Sequence, residues 1–160
     1  MRHSRLAAGC ATVLLAATAS TGQAQDLVPE IARAVDREVR DALTAEQAAF
    51  DAKDCAKVVE FFTDRSPLLV VSGRTMPNRN VLRMACTGMI ANRAQSPRRL
   101  KEHVINVLSP EVAYSVTHDD VPVPAGGTTA QVVTKIWVKQ DGAWLIAHMH
   151  ESVRAAPPAP

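Results

Sequence analysis

The sequence lacks a surplus of either charge. Its 160 residues carry 18 Lys and Arg against 16 Asp and Glu, and Arg2 and Arg5 lie in a leader that we expect to be removed. Recognition of nucleic acid or of an anionic membrane surface needs an excess or a clustered patch of basic residues. We therefore expect neither partner.

A long apolar run is also missing. The longest, residues 6–19, is shorter than the roughly 20 residues that a membrane span needs. It follows a basic start and precedes the small residues Gly22 and Ala24, a pattern typical of a secretory signal peptide. We predict a signal peptide over 1–24, periplasmic or secreted localisation, one domain over 25–153, and a disordered Ala- and Pro-rich tail over 154–160.

Cysteine is scarce. Once Cys10 leaves with the signal peptide, Cys55 and Cys86 remain, without the Cys-x-x-Cys spacing of a structural zinc site. In an oxidising compartment we predict a disulfide between them, closing a loop of about 30 residues and stabilising the fold by about 3 kcal/mol. Two buried thiols that never meet are the alternative.

Aromatic residues are few, and both tryptophans fall within residues 135–152. Two apolar, β-rich runs meet there at Asp141-Gly142, a strong signal for a hairpin turn. A two-residue turn predicts these cross-strand pairs: Lys139 with Trp144, Trp137 with Ile146, and Lys135 with His148. Because alternate side chains share a face, one face would hold Lys135, Trp137, Trp144, Ile146, His148 and His150. The other would hold an apolar stripe: Ile136, Val138, Leu145, Ala147 and Met149.

The rest of the chain predicts helices followed by a meander. Apolar residues recur every fourth position over residues 29–52, which indicates one long helix or two joined near Thr44. A short helix capped by Asp54, a strand over 67–71 and a helix from about 78 to 93 follow. Strands are predicted over 100–108, 112–118, 128–139 and 143–152. This order indicates an α+β fold with helices on one face of a bent antiparallel sheet.

These features resemble a known group. The stretch 51–54 before a short helix ending in Phe61-Phe62, and the closing Asp-Gly-x-Trp-x-Ile-x-His-x-His-x-Ser of residues 141–152, are similar to the nuclear transport factor 2-like superfamily. The likeness is to its SnoaL-like and ketosteroid-isomerase-like exported members, and to the calcium/calmodulin-dependent kinase association domain. It covers about residues 30–153.

The resemblance implies a cone-shaped, curved antiparallel sheet with N-terminal helices packed on its concave face. It also implies a pocket between the two layers and dimers through the sheets. Members include isomerases, cyclases, dehydratases and assembly modules, so the fold alone does not fix an activity. The apolar stripe independently predicts a homodimer, because a contiguous exposed apolar patch marks an interface.

Several polar residues are candidates for the pocket. A turn at Ser109-Pro110 pairs Ile105 with Tyr114 and places His103, Tyr114 and His118 on one face. The likeness to the association domain implies pocket positions at Arg83 and Lys135, whereas a third basic position of that pattern is Val116 here. The predicted ligand-binding residues are Arg83, His103, Tyr114, His118, Lys135, Trp137, His148 and His150.

Three functions remain open. The polar residues could bind an acidic or carbonyl-bearing small molecule. His103, Tyr114 and His148 could instead perform acid–base catalysis, although Asp119 and Asp120 are expected at a strand end, away from the place of a carboxylate base. The histidines could instead have a structural role and hydrogen-bond buried polar groups of the final strand. The chain would then fit a non-catalytic assembly module.

A metal site is the remaining possibility for the histidines. His148 and His150 have the spacing of two ligands on one strand face, and His103 or His118 could add a third for zinc. Nothing in the sequence fixes that third ligand. We predict no metal and no cofactor.

Overall fold

The structure is a computed structural model that describes residues 27–64, 68–71, 74–91, 99–122 and 127–153. The predicted signal peptide and the predicted tail lie outside these residues. The described elements are α1 (Pro29–Asp51), α2 (Cys55–Glu60), β1 (Leu68–Val71), β2 (Arg74–Met76), α3 (Arg79–Ala91), β3 (Arg99–Ser109), β4 (Val112–Pro122), β5 (Thr128–Gln140) and β6 (Ala143–Val153). Among them, no helix is long and apolar enough to cross a membrane.

The helical layer that covers the sheet begins with one long helix. α1 is unbroken over 23 residues, and the hydroxyl of Thr44 donates to the Arg40 carbonyl within it (2.8 Å), so no second helix starts there. Pro29 occupies the first turn, where its missing N–H has no cost. The buried face of α1 consists of Val35, Val39, Leu43, Glu46 and Ala49, spaced by three or four residues as one side of a helix requires.

Two capped helices and a disulfide complete this layer. Asp54 accepts from the Lys57 amide at the start of α2 (2.9 Å), and Asn78 accepts from the Val81 amide at the start of α3 (3.0 Å). Both side chains satisfy amides that the helix leaves without partners. The predicted disulfide is confirmed: Cys55 and Cys86 are bonded, with their Cα atoms 5.8 Å apart. It links α2 directly to α3.

The six strands form one sheet in the order β2-β1-β6-β5-β4-β3. The antiparallel meander β3–β6 was predicted, and the α+β fold with a curved sheet over helices is confirmed. β1 pairs with β6 in parallel, and β2, a strand that the sequence did not predict, pairs with β1. Trp137, Phe62, Ile146 and Val39 are the largest fully buried side chains between the layers.

The register of the last hairpin is only partly as predicted. Lys139 pairs with Trp144 and Trp137 with Ile146, as expected, but Ile136 then pairs with His148 and Lys135 with Met149. The extra residue is Ala147, a bulge that reverses the facing of all later residues of β6. The bulge lies where β6 changes its other neighbour, from Phe62 beside Ile146 to β1 beside residues 148–150. The prediction that Lys135 faces His148 is therefore wrong.

The hairpin β3–β4 differs by one residue from its prediction. Its turn is Pro110–Glu111, so Tyr114 pairs with Asn106 and His103 pairs with Thr117. A register shift between Val107 and Ser109 absorbs the extra residue. The prediction that His103, Tyr114 and His118 share one face is wrong, because His103 lies on the concave side and the other two on the convex side.

Candidate functional site

The concave face carries two rows of side chains beneath α1. Cross-strand pairing aligns Ile105, Ser115, Lys135 and Met149 in one row, and His103, Thr117, Val133 and Glu151 in the next. Paired residues project to the same side of a sheet. The polar members of these rows therefore face the helical layer, where water has little access.

A buried ion pair joins the two layers. Nζ of Lys135 lies 2.5 Å from Oε2 of Glu46, and the two side chains are only 3% and 7% exposed. Nζ also lies 5.8 Å from the centroid of the Trp137 ring, within the range of a cation–π contact. Trp137 is held in turn by a hydrogen bond from its indole nitrogen to Oγ of Ser115 (2.9 Å). Lys135 is thus held by a contact to α1 and one within β5, and Trp137 is held in turn by β4.

Two cavities have Lys135 in their walls. The larger, ≈ 140 Å³, lies on the β3–β4 side, and its walls include Leu43, Leu100, His103, Thr117, Asp119 and Lys135. The smaller, ≈ 50 Å³, extends toward α2 and α3, and its walls include Glu46, Phe50, Leu82, Lys135, Met149 and Glu151. Lys135 borders both cavities, whereas Glu46 borders the smaller one.

A carboxylate lies on the concave strands, contrary to expectation. Asp119 is 3% exposed and borders the larger cavity together with His103. It was expected at a strand end, but β4 continues to Pro122. The larger cavity therefore combines a carboxylate, an imidazole and an ammonium group, which are the groups that acid–base chemistry uses.

The predicted site residues divide between the two faces. His103, Lys135 and Trp137 lie on the concave side. Tyr114, His118, His148 and His150 pair with Ile136, Val132, Ile136 and Thr134 respectively, in rows on the convex side. Arg83 is exposed on α3, while its neighbour Leu82 lines the smaller cavity.

Sequence reasoning missed Glu46, Asp119, Met149 and Glu151. For Glu46 a signal was present, because the apolar stripe of Val35, Val39 and Leu43 continues by three residues onto this carboxylate. A charged residue on the buried stripe of a helix requires a partner. For Met149 and Glu151 no local signal existed, since their facing depends on the bulge at Ala147.

The described residues contain no group of three or more His, Cys, Asp or Glu side chains that could hold a metal ion. His103 lies on the concave face. His118, His148 and His150 lie on the convex face but in three different cross-strand rows, with Val132, Ile136 and Thr134 respectively. A zinc ion needs three or four ligands converging on one point, and neither arrangement supplies them.

A second Lys–Glu pair connects the same helix and strand at the rim. Oε2 of Glu38 accepts from Nζ of Lys139 (2.6 Å) and from the indole nitrogen of Trp144 (2.8 Å). The hydrogen bond from Lys139, followed by that from Trp144, lowers the pKa of the Glu38 carboxyl. This pair fastens α1 to the hairpin close to its turn.

The convex face exposes apolar area. Val104 is 43% and Ile136 37% exposed, and their neighbours Tyr114, Val116 and Leu145 are half-buried. Met149, predicted for this face, lies instead on the concave side because of the bulge. Helices cover the concave side, so this apolar area faces outward.

Neither protein-family models nor curated protein sequences match the chain. Solved structures do resemble it. A Pseudomonas putida protein of unknown function, nuclear transport factor 2-like, has a TM-score of 0.66 and 13% identity, covering 75% of this chain and 87% of that one. A Xanthomonas campestris protein, provisionally assigned as a calcium/calmodulin-dependent protein kinase II association domain, has a TM-score of 0.62 and 19% identity, with coverage of 77% and 89%. A provisionally assigned ketosteroid isomerase from Shewanella frigidimarina has a TM-score of 0.61 and 20% identity, with coverage of 74% and 97%.

Proposed function

We propose that this chain, which has the nuclear transport factor 2-like fold, is an exported homodimer that binds a small molecule between α1 and the concave face of its sheet. The observation that carries the proposal is the buried Lys135–Glu46 pair, whose lysine borders two cavities. Ligand sites are typically concave, mostly apolar and supplied with a few fixed polar groups. Both cavities combine a largely apolar lining with a few polar groups, and their volumes of ≈ 140 and ≈ 50 Å³ limit the ligand to a small molecule.

A purely structural role explains the pair less well. Buried ion pairs contribute little net stability, since well-packed apolar residues of similar volume often serve as well or better. Lys135 also has donor capacity to spare. An ammonium group has three N–H donors, and within the described part of the chain Nζ has Glu46 as its hydrogen-bond acceptor. Lys135 borders both cavities, and we place the acceptor for its remaining donors there.

Export is supported by the leader pattern of residues 1–24 and by the disulfide. Disulfides form and persist in oxidising compartments such as the periplasm, and Cys55 and Cys86 are bonded. Signal-peptide processing of the secreted protein, read by N-terminal sequencing of the mature chain, tests this part. A mature chain that still begins at Met1 would contradict it.

Dimerisation is supported by the apolar area of the convex face, where Ile136 and Val104 are exposed. Analytical ultracentrifugation at micromolar concentration is expected to give a dimer, and Ile136→Asp is expected to give a monomer because it places a charge in the centre of the contact. A wild-type monomer would contradict the interface.

An acid–base enzyme acting on a carbonyl compound is the second candidate. It is favoured by Asp119 and His103, which border one cavity with Lys135. Turnover that depends on Asp119 and His103 would support it, whereas turnover unchanged in Asp119→Asn and His103→Gln would exclude it. A non-catalytic assembly module is the third, suggested by the likeness to the Xanthomonas campestris protein.

A thermal-shift screen of small molecules tests the ligand-binding proposal. Hits are expected to stabilise the wild-type protein and to lose that effect in the double variant Glu46→Gln/Lys135→Met. The matched control is Glu38→Gln/Lys139→Met, which removes the same two charges from the same helix and strand at the rim. Hits that stabilise all three proteins equally would place the site elsewhere.

A further inference from the structure

We infer that the ligand is a small neutral molecule whose carbonyl oxygen accepts a hydrogen bond from Nζ of Lys135, and that it is not an anion. The inference rests on the proposed ligand-binding function and specifies its chemical class. It differs from what the sequence predicted, which was a pocket suited to acidic as well as carbonyl-bearing ligands.

The charge of Lys135 is already compensated. Its Nζ lies 2.5 Å from Oε2 of Glu46, with both side chains nearly inaccessible to solvent. Glu46 borders the smaller cavity, and Lys135 borders both. An incoming anion would meet the Glu46 carboxylate at short range, in an environment where like charges repel more strongly than in water. A neutral ligand avoids that repulsion.

Hydrogen-bonding capacity then selects an acceptor. Lys135 presents donors and no acceptor, and a donor left unmatched in a buried site has a cost. A carbonyl oxygen has two lone pairs and no hydrogen of its own, so it complements an ammonium donor directly. An alcohol oxygen brings a hydrogen that requires an additional acceptor.

The volume of the cavities limits the size of the apolar part of the ligand. The larger cavity measures ≈ 140 Å³, close to the roughly 150 Å³ of an apolar protein cavity that accommodates benzene. Its apolar wall includes Leu43 and Leu100. The smaller cavity of ≈ 50 Å³, with Phe50, Leu82 and Met149 on its wall, has room for a short substituent. The ligand is therefore a compound with a body of about one six-membered ring.

Calorimetric titration with three probes of one shape tests the inference. The purified protein is titrated with cyclohexanone, cyclohexanol and cyclohexanecarboxylate at neutral pH. Cyclohexanone is expected to bind at least about tenfold more tightly than the carboxylate. In Glu46→Gln/Lys135→Met its affinity is expected to fall by about tenfold or more, because a charge-assisted hydrogen bond is lost. In the rim control Glu38→Gln/Lys139→Met it is expected to be unchanged.

The outcomes separate the inference from the function on which it rests. Tightest binding of the carboxylate or of the alcohol would overturn the carbonyl inference and leave ligand binding intact. Equal affinity of cyclohexanone for the wild type and a folded double variant would show that Lys135 is not its partner. The comparison of the three probes on the wild type decides the matter even if the double variant does not fold. Absence of binding by all three overturns the inference, and the proposed function falls with it only if the thermal-shift screen is also blank.

Discussion

Two Lys–Glu pairs connect α1 to β5, and they differ mainly in their access to water. Glu46 pairs with Lys135 at 2.5 Å, and Glu38 pairs with Lys139 at 2.6 Å. The side chains of the inner pair are 3% and 7% exposed, and those of the rim pair 30% and 44%. Each lysine also lies near a tryptophan ring, at 5.8 and 5.7 Å respectively.

The spacing of the pairs follows from the geometry of the two elements. The two glutamates are eight helical residues apart, about 12 Å along an α-helix, and the two lysines are four strand residues apart, about 13 Å. Helix and strand therefore run past each other in opposite directions with matching repeats. The two pairs therefore make the same type of contact and differ mainly in burial. The rim pair connects the helical layer to the sheet, whereas the inner pair also lies beside a cavity large enough for a small ligand.

The largest expected difference appears when each lysine is removed. Lys135→Ala leaves Glu46 buried and uncompensated, so we expect a loss of about 3–5 kcal/mol in the free energy of unfolding. Lys139→Ala removes a partly exposed pair, for which about 0–1 kcal/mol is expected. Urea denaturation at pH 7 measures both, and similar losses would contradict the distinction.

Both charges of the inner pair can also be removed together. Glu46→Leu/Lys135→Met is expected to recover most of the stability lost in Lys135→Ala, because apolar residues of similar volume replace buried ion pairs at little or no cost. A double variant as unstable as the single one would mean that the pair is needed for folding. The proposed binding role would then lose its main support.

The two tryptophans extend the comparison at a smaller scale. Trp137→Phe leaves Oγ of the fully buried Ser115 without its donor, for which about 1–3 kcal/mol is expected. Trp144→Phe removes a hydrogen bond to Glu38, which retains Lys139 and access to water, so about 1 kcal/mol or less is expected. Thermal or urea unfolding of the two variants side by side checks the order, and the reverse order would contradict it.

The smallest expected effect is the pH dependence of the rim pair. Since the hydrogen bonds from Lys139 and Trp144 lower the pKa of Glu38 below its ordinary value of 4.5, this carboxylate stabilises the fold above that pH. The stabilisation is lost as the pH falls through the lowered pKa. Glu38→Gln is expected to reduce the decline in stability between about pH 5 and 3 by less than about 1 kcal/mol. An unchanged decline in urea unfolding across this range would contradict the assignment.

The sequence predicts the fold well because its signals are local. The helical stripe of α1, the cap at Asp54 and the Asp141-Gly142 turn each depend on neighbouring residues, and all appear in the structure. The pairs nearest that turn, Lys139 with Trp144 and Trp137 with Ile146, were also correct. Local chemistry was sufficient for these features.

The candidate site was harder to predict because the face on which a strand residue lies depends on pairing with residues far away in the sequence. The bulge at Ala147 coincides with the parallel pairing of β6 to Phe62 and to β1, contacts that hairpin geometry does not reveal. One extra residue there exchanges His148 and His150 for Met149 and Glu151 on the concave face. Glu46 was predictable in principle from its place on the helical stripe, and Asp119 depended on where β4 ends.

Methyl NMR of the protein titrated with cyclohexanone tests whether the space beside Lys135 is a ligand site. We expect chemical-shift changes concentrated at Leu43, Leu100 and Thr117, which border the larger cavity together with Lys135. Changes concentrated at Val104, Val116 and Ile136 on the convex face, with Leu43 unaffected, would contradict this expectation.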